Sequence, residues 1–500
     1  MKKSGFVPPC GRISRRNLLV DCGMGFAGLA MTAMLRRDGL LQAAESGMPS
    51  LATWRPPDGN PHFPPKAKSV IWLFMQGGTS HLETFDPKPA LNKFAGKTIG
   101  DTPYKDVLAS PLVTKGVRQP VAGVRKLMLQ LFPLQVGYRK YGQLGVELTD
   151  WWPHLGEMVD DMAFVRSLWT TDNDHGAQYQ FHTGRQVLDG SFPSIGAWIH
   201  YGLGTLNENL PQFVVLGEQV DACCGGNGCS GAAYLGPQHA GVEFALDPAN
   251  PLPFAKPSGE VYREEQKGEF DFIEKLDRIA QSRYPEDAAL TARIKSYELA
   301  YKMQTTVPET FRFEEEPEHV RKLYGLDQER TRVFGERCLA ARRLVEKGVR
   351  FVQVYHGGGS KIEWDAHSEL QKNHSKLCAE VDQPIAGLLK DLKQRGLLDE
   401  TVVVWGTEFG RTPGVEGLRG GRDHHPYGFT AWMTGAGIKR GIVHGATDEL
   451  GFHAVENRHY VTDLHATVMH AMGLESKRLD VPGQKRLDID YGEPIKEILA

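Results

Sequence analysis

Asp, Glu and His gather in five short stretches of this 500-residue chain. The first is Gly77-Gly78-Thr79-Ser80-His81, with Asp86 shortly after it. The second is Thr170-Thr171-Asp172-Asn173-Asp174-His175, and the third is Trp364-Asp365-Ala366-His367. The fourth is Gly406-Thr407-Glu408-Phe409-Gly410-Arg411, and the fifth is Arg422-Asp423-His424-His425-Pro426. Imidazole and carboxylate groups bind zinc and several other divalent ions, and they also move protons. No single spacing here is a zinc signature, so the coincidence of five groups carries the reading. Each group also has a structural explanation. Asp365 and His367 could hydrogen-bond a loop, Glu408 could pair with Arg411, and Asp423 to His425 could form a polar turn before Pro426. Phe85-Asp86-Pro87 also reads as a rigid turn. Other chemistries lack their motifs: there is no GxSxG elbow, no GxGxxG after the first apolar run, and no GK[ST] after Gly417 to Gly421.

Such residues need a frame that brings them together. Apolar runs at 69–76, 162–167, 213–216, 350–355, 402–405 and 430–433 read as buried strands. Val381, Ile385, Leu388, Leu389 and Leu392 follow a helical period, which predicts a surface helix from Asp382 to Arg395 stopped by Gly396. Helix followed by buried strand is the pattern of an α/β doubly wound sheet with helices on both faces. In such sheets ligands bind beyond the carboxyl ends of the strands, and four of the five stretches follow a predicted strand while the fifth precedes one. The stretch 260–348 is charged and lacks strand signals, so it is expected to be a helical insertion.

Composition bounds the function. Hydrophobic residues make up 41% and charged residues 24%, with a net charge of −3, an ordinary globular balance that gives no support for nucleic-acid binding. The N-terminus has a basic leader (Lys2, Lys3, Arg12, Arg15, Arg16), an apolar stretch from Leu18 to Leu35, and small residues at Ala43-Ala44. This is the layout of an export signal over residues 1–44, and Ser14-Arg15-Arg16-Asn17-Leu18-Leu19 resembles a twin-arginine signal. Asp21 interrupts the apolar stretch, so it reads as a cleaved signal and not as a membrane span. The protein is therefore expected in the periplasm or secreted, with no membrane span in its mature form. Residues 45–68 are a Pro-rich lead-in to one domain over 69–500. Of seven Cys, Cys223, Cys224 and Cys229 share a Gly-rich loop, where one of the vicinal pair is expected to bridge Cys229.

The stretch DQPIAGLLKDLKQRGLLDETVVVWGTEFG (382–410) resembles the sulfatase and alkaline-phosphatase superfamily. There a helix, a Gly-Leu-Leu-Asp turn and an apolar strand end in a metal-binding Asp-His or Asp-Asn pair. VTDLHATVMHAMGLE (461–475) resembles the late helix of that superfamily, and FHTGRQ (181–186) its Thr-Gly-Arg turn. FMQGGTSHLETFDPKP, ARRLVEKGVRFVQV, EWDAH and WGTEFGRTP together resemble a group of exported bacterial proteins catalogued as a domain of unknown function, number fifteen-oh-one, abundant in planctomycetes. The resemblance spans about 69–475 and implies an alkaline-phosphatase-like fold. It places Glu408 at a metal-binding Asp, and Phe409 at the ligand after it. It places Asp365 and His367 at an Asp and a His of the other metal site, and His424 or His425 at a further His. Gln76 stands where a metal-binding Asp is usual, so half of a two-metal site looks intact and half eroded. No Cys-x-Pro-x-Arg sulfatase signature is present, and Thr171 to His175 resembles the Thr-x-x-Asn-His pattern of the phosphodiesterase branch.

The resulting expectation is an exported metal-dependent hydrolase of phosphate or sulfate esters, acting on an anionic ester, with a polysaccharide ester as one form of it. Asp365, His367, Glu408 and His424 or His425 would hold a divalent metal, with zinc preferred over calcium or manganese. Thr171 or a metal-activated water would attack, His175 would assist, and Arg411 or Arg422 would neutralise the anion. The alternative is a non-catalytic relative that binds anionic polysaccharide or an envelope partner, which Gln76 and Phe409 favour.

Overall fold

The computed structural model describes residues 57–110, 127–218, 224–247, 263–283, 299, 301–303, 307–358 and 362–500. The chain divides into two units, Met1–Pro56 and Pro57–Ala500, and the second is described here. The signal expected over 1–44 and the first part of the lead-in lie outside the described residues. No helix among the described residues is long and apolar enough to cross a membrane.

The frame is a nine-stranded sheet. Its strands are β1 (Ser69–Met75), β2 (Met162–Trp169), β3 (Phe213–Leu216), β4 (Val242–Phe244), β5 (Phe351–His356), β6 (Thr401–Gly406), β7 (Phe429–Gly435), β8 (Ile442–His444) and β9 (His459–Tyr460). They lie in the order β8-β2-β7-β6-β1-β5-β3-β4, and β9 pairs with β2. All pairings are parallel except those of β7, which runs antiparallel to β6 and β2. Every residue of β1, β5 and β6 is buried, as a parallel sheet covered on both faces requires. Alternation along β1 divides the core. Val70, Trp72 and Phe74 pack with Phe181, Trp198 and Leu464, while Ile71, Leu73 and Met75 pack with Phe334, Leu339 and Leu388. Each fully buried side chain of this kind contributes about 1.5–3 kcal/mol.

The helices that cover the sheet are α1 (Ala177–Thr183), α2 (Ile195–Leu203), α3 (Glu329–Glu346), α4 (Leu370–Gln394) and α5 (Val461–Ala471). α4 starts well before Asp382 because buried Leu370, His374, Leu377 and Val381 continue the same apolar face, and the helix runs through Pro384. Within 260–348 a helix spans Arg263–Arg283, and α3 lays Phe334, Leu339 and Leu344 into the same core as the sheet. Cys229 is a buried thiol that makes no disulfide with Cys224, contrary to that half of the expected pairing; Cys223 lies outside the described residues.

Register sets where the chemistry is delivered. Met75 pairs with His356, and Phe74 pairs with both Tyr355 and Gly406. The ends of β1, β5 and β6 are thus level, and their following loops leave at one edge. Phe429 at the start of β7 pairs with Leu168 near the end of β2, so residues 424–428 and 170–175 meet the same edge.

Candidate metal centre

Three of the expected ligands converge. Asp365 Oδ1 lies 3.0 Å from His367 Nε2 and 3.0 Å from His424 Nε2, and the two Nε2 atoms are 3.0 Å apart. A tetrahedral ion with bonds of about 2.0–2.1 Å holds its donor atoms about 3.3 Å apart. The spacing therefore suits a small divalent ion.

The neighbours of each ring decide which nitrogen faces the centre. His424 Nδ1 donates to the Asn173 carbonyl at 2.9 Å, and His367 Nδ1 lies 2.5 Å from the Glu416 carboxylate. Both Nε2 atoms therefore face the same point as Asp365 Oδ1, and in the neutral rings each presents a lone pair there. Burial disfavours a charged His367, yet Asp365 and Glu416 raise its pKa, so without a metal a proton on His367 would bridge the three atoms, and a divalent ion fits in that proton's place. Two imidazoles and one carboxylate favour zinc over calcium, which prefers oxygen alone. Burial pushes the Asp365 carboxyl up, but its contacts with the His175, His367 and His424 rings and the charge of Arg411 hold it far below the usual carboxylate range. Burial holds His424 well below the usual imidazole value, which keeps it neutral and able to ligate.

Arg411 has a different job from the one expected. It is fully buried, and its donors meet the carbonyls of Gly77, Gly78 and Arg422 as well as Asp365 Oδ1 at 2.7 Å. It clamps the Asp365 loop to the end of β1 and presents no face to an incoming anion. Arg422 is also fully buried, paired to Glu83 at 2.7 Å and to loop carbonyls around Thr412 and Phe132. His425 is a correction too. Its Nε2 bonds the Phe452 carbonyl, and its ring lies 4.4 Å from that of Phe452. Adjacent residues on a strand point to opposite sides, and His424 and His425 occupy a short ribbon with Gly410–Arg411. Only one of the pair can face the centre.

Glu408 stands beside the three-ligand cluster. It is fully buried, takes the Gly77 N–H at 2.8 Å, and holds His175 Nδ1 at 3.1 Å. The other nitrogen of His175 lies 3.3 Å from Asp365 Oδ2. Burial disfavours the His175 charge, yet hydrogen bonds to Asp365 and Glu408 raise its pKa to about 9. Phe409 fills the adjoining space with its ring centre 4.4 Å from that of His424, and a side chain on Gly78 would strike it. Gln76 donates to the Glu218 carbonyl at 2.7 Å. The half of the site that looked eroded is thus filled by the Phe409 ring and by Gln76, whose Oε1 is buried without a hydrogen-bond partner.

Thr171 is not joined to His175, whose two nitrogens are already engaged. The Thr171 hydroxyl instead accepts from Gln180 at 2.7 Å and from Gln186 at 3.2 Å. His81 bonds the Gly451 carbonyl, and Asp86 pairs with Lys88 at 3.0 Å, so both serve the fold. Glu416 was not singled out in the sequence, whereas Asp174 stood there beside His175. Asp174 offers a carboxylate oxygen close to His175 and His424 and is a further candidate ligand.

Comparison with curated proteins gives no match. Among solved structures, the chain is similar to the lipoteichoic acid synthase LtaP from Listeria monocytogenes, at 9% identity and a TM-score of 0.35, covering 88% of this chain and 79% of that one. It is similar to the C-terminal periplasmic domain of EcEptC from Escherichia coli, in complex with Zn, at 10% identity and a TM-score of 0.34, covering 91% and 96%. It is also similar to a mutant of TAB5 alkaline phosphatase with Mg bound, at 10% identity and a TM-score of 0.32, covering 82% and 99%. Residues 67–499 match the family model described as "Protein of unknown function (DUF1501)", and the chain belongs to that family.

Proposed function

We propose that this chain is an exported metal-dependent hydrolase of phosphate or sulfate esters, built around one divalent ion held by Asp365, His367 and His424. The observation that carries the reading is the pair of Nε2 atoms aimed, by Asn173 and Glu416, at the same point as Asp365 Oδ1. A divalent ion there supplies Lewis acidity toward ester oxygens and lowers the pKa of water to about 7. Arg411 keeps Asp365 ionised and in place. His175, fixed at Nδ1 by Glu408, directs Nε2 toward Asp365 and carries the proton for the leaving oxygen. Thr171 lacks a base, so water is the nucleophile this arrangement supports.

The test is hydrolysis of 4-nitrophenyl phosphate and 4-nitrophenyl sulfate by the purified chain. Turnover of either should vanish with a chelator, return with zinc, and fall at least a thousandfold in Asp365→Ala. Stoichiometric metal with no turnover of any ester would instead support a non-catalytic anion binder, the reading that the Phe409 ring favours. Export rests on the basic leader and twin-arginine pattern, and replacing Arg15 and Arg16 by Lys should leave the protein in the cytoplasmic fraction.

A further inference from the structure

The helix Arg263–Arg283 carries an apolar face that is left exposed. Phe272 is 61% exposed and Ile279 52%, and Ile273 and Leu276 are exposed beside them. At about 100° per residue these four side chains form one stripe about 120° wide. Phe270 lies outside the stripe and ties the helix to the chain, its ring stacked on that of Tyr301 at 4.2 Å. Among the described residues, no other element exposes as many large apolar side chains. Single exposed apolar residues are ordinary, whereas a contiguous stripe marks an interaction surface.

The charges along the helix say what lies against it. From Arg263 to Glu274 there are five acids and two bases; from Lys275 to Arg283 there are three bases and one acid. The first half is thus acidic and the second basic. A second copy laid antiparallel sets acidic half against basic half at both ends of the pair, as an interface closed by a two-fold axis requires. With the axis at Leu276, that side chain meets its own copy, Phe272 lies beside Ile279 of the second copy, and Glu269 lies opposite Arg283 of the second copy. A parallel pair would put like charges side by side. A membrane surface is a poorer fit, because helices that lie on bilayers carry a basic polar face and this helix has six acids to five bases.

We infer that the stripe is a self-docking surface, through which two copies of the chain pair antiparallel along Arg263–Arg283. One helix pair of this length sits at the low end of specific interfaces, so the dimer is reversible. The inference goes beyond the hydrolase reading and uses none of the residues of the metal centre.

Sedimentation velocity of the full chain over a concentration series tests it. The native chain should pass from monomer to dimer as its concentration rises through the micromolar range. Leu276→Asp should weaken the dimer at least tenfold with an unchanged Tm, because it sets two carboxylates together at the axis. Glu269→Arg should weaken it at least threefold, and Glu269→Arg/Arg283→Glu should return it to the native constant, since reversing both charges rebuilds the same pairs. The charge variants read the interface even if Leu276→Asp lowers the Tm. A chain that stays monomeric at its highest soluble concentration, a dimer untouched by Leu276→Asp, or a double variant no tighter than the single one overturns the inference. So does a monomeric chain that binds phosphatidylglycerol vesicles through Leu276. A Leu276-dependent dimer without metal or ester turnover would leave the self-docking surface standing and remove the hydrolase reading.

Discussion

At the scale of single residues, the centre depends on which atom each group turns inward. Glu416 touches only the outer nitrogen of His367, yet it fixes which nitrogen can ligate. Outer partners of this kind are typically worth 10–100-fold in metal affinity. Glu416→Gln should weaken zinc binding by that factor in a competition titration while leaving the fold intact; unchanged affinity would show that His367 needs no orienting carboxylate. The paired histidines give a sharper contrast. His424→Asn should abolish stoichiometric metal, whereas His425→Asn should keep it and cost about 1–3 kcal/mol, because the buried Phe452 carbonyl loses its donor. Metal content and denaturant unfolding of both variants check this. The sequence pointed to the pair but could not choose between them, because adjacent residues of a ribbon differ only in the side they face. Arg411 was legible as a cation near the site, but its burial was not. Its guanidinium chemistry suited an anion equally well until the carbonyls of Gly77 and Gly78 were seen to take its donors.

At the scale of elements, the level ends of β1, β5 and β6 do the positioning, and one loop after β1 seats another. Gly77 has φ +123°, and a Cβ there would lie 2.5 Å from the Asp365 backbone nitrogen. Its N–H also meets Glu408. Gly77→Ala should therefore displace the Asp365 loop. The backbone strain alone costs about 1–3 kcal/mol. A lowered Tm together with weakened metal binding is the expected result, and a native Tm with native affinity would count against the close approach. This level was well foreshadowed by the sequence, because buried apolar runs mark parallel strands and the strand-end rule marks their loops. What it could not show was the reach of α4 back to Leu370, since Pro384 and the polar residues around His374 mask the continuing apolar period. Nor could spacing connect Glu416 to His367, because the link is made across a Gly-rich hairpin.

At the scale of the whole molecule, many of the eighteen histidines are structural. His182 and His374 are buried and held near about 3, and His465 near about 4, chiefly by loss of solvent. Unfolded, each titrates near its ordinary value of about 6.5. Between the two values the unfolded chain binds more protons, so stability is complete above about pH 6.5 and falls as the pH drops. Each histidine costs about 1.4 kcal/mol per pH unit in that window. Tm should therefore decline clearly from pH 7 to pH 5, and a flat profile would mean these rings are not buried as neutral groups. The composition alone flagged an excess of histidine; only the packing separates the few that face the centre from those that hold the core.

The account turns on one divalent ion bound by Asp365, His367 and His424. Elemental analysis of the purified full chain, paired with the Asp365→Ala and His424→Asn variants, tests this most directly. The expected result is one equivalent of a divalent metal, zinc foremost, in the native chain and less than a tenth of that in either variant. A native chain that carries no metal after incubation with micromolar zinc, or variants that retain a full equivalent, would contradict it.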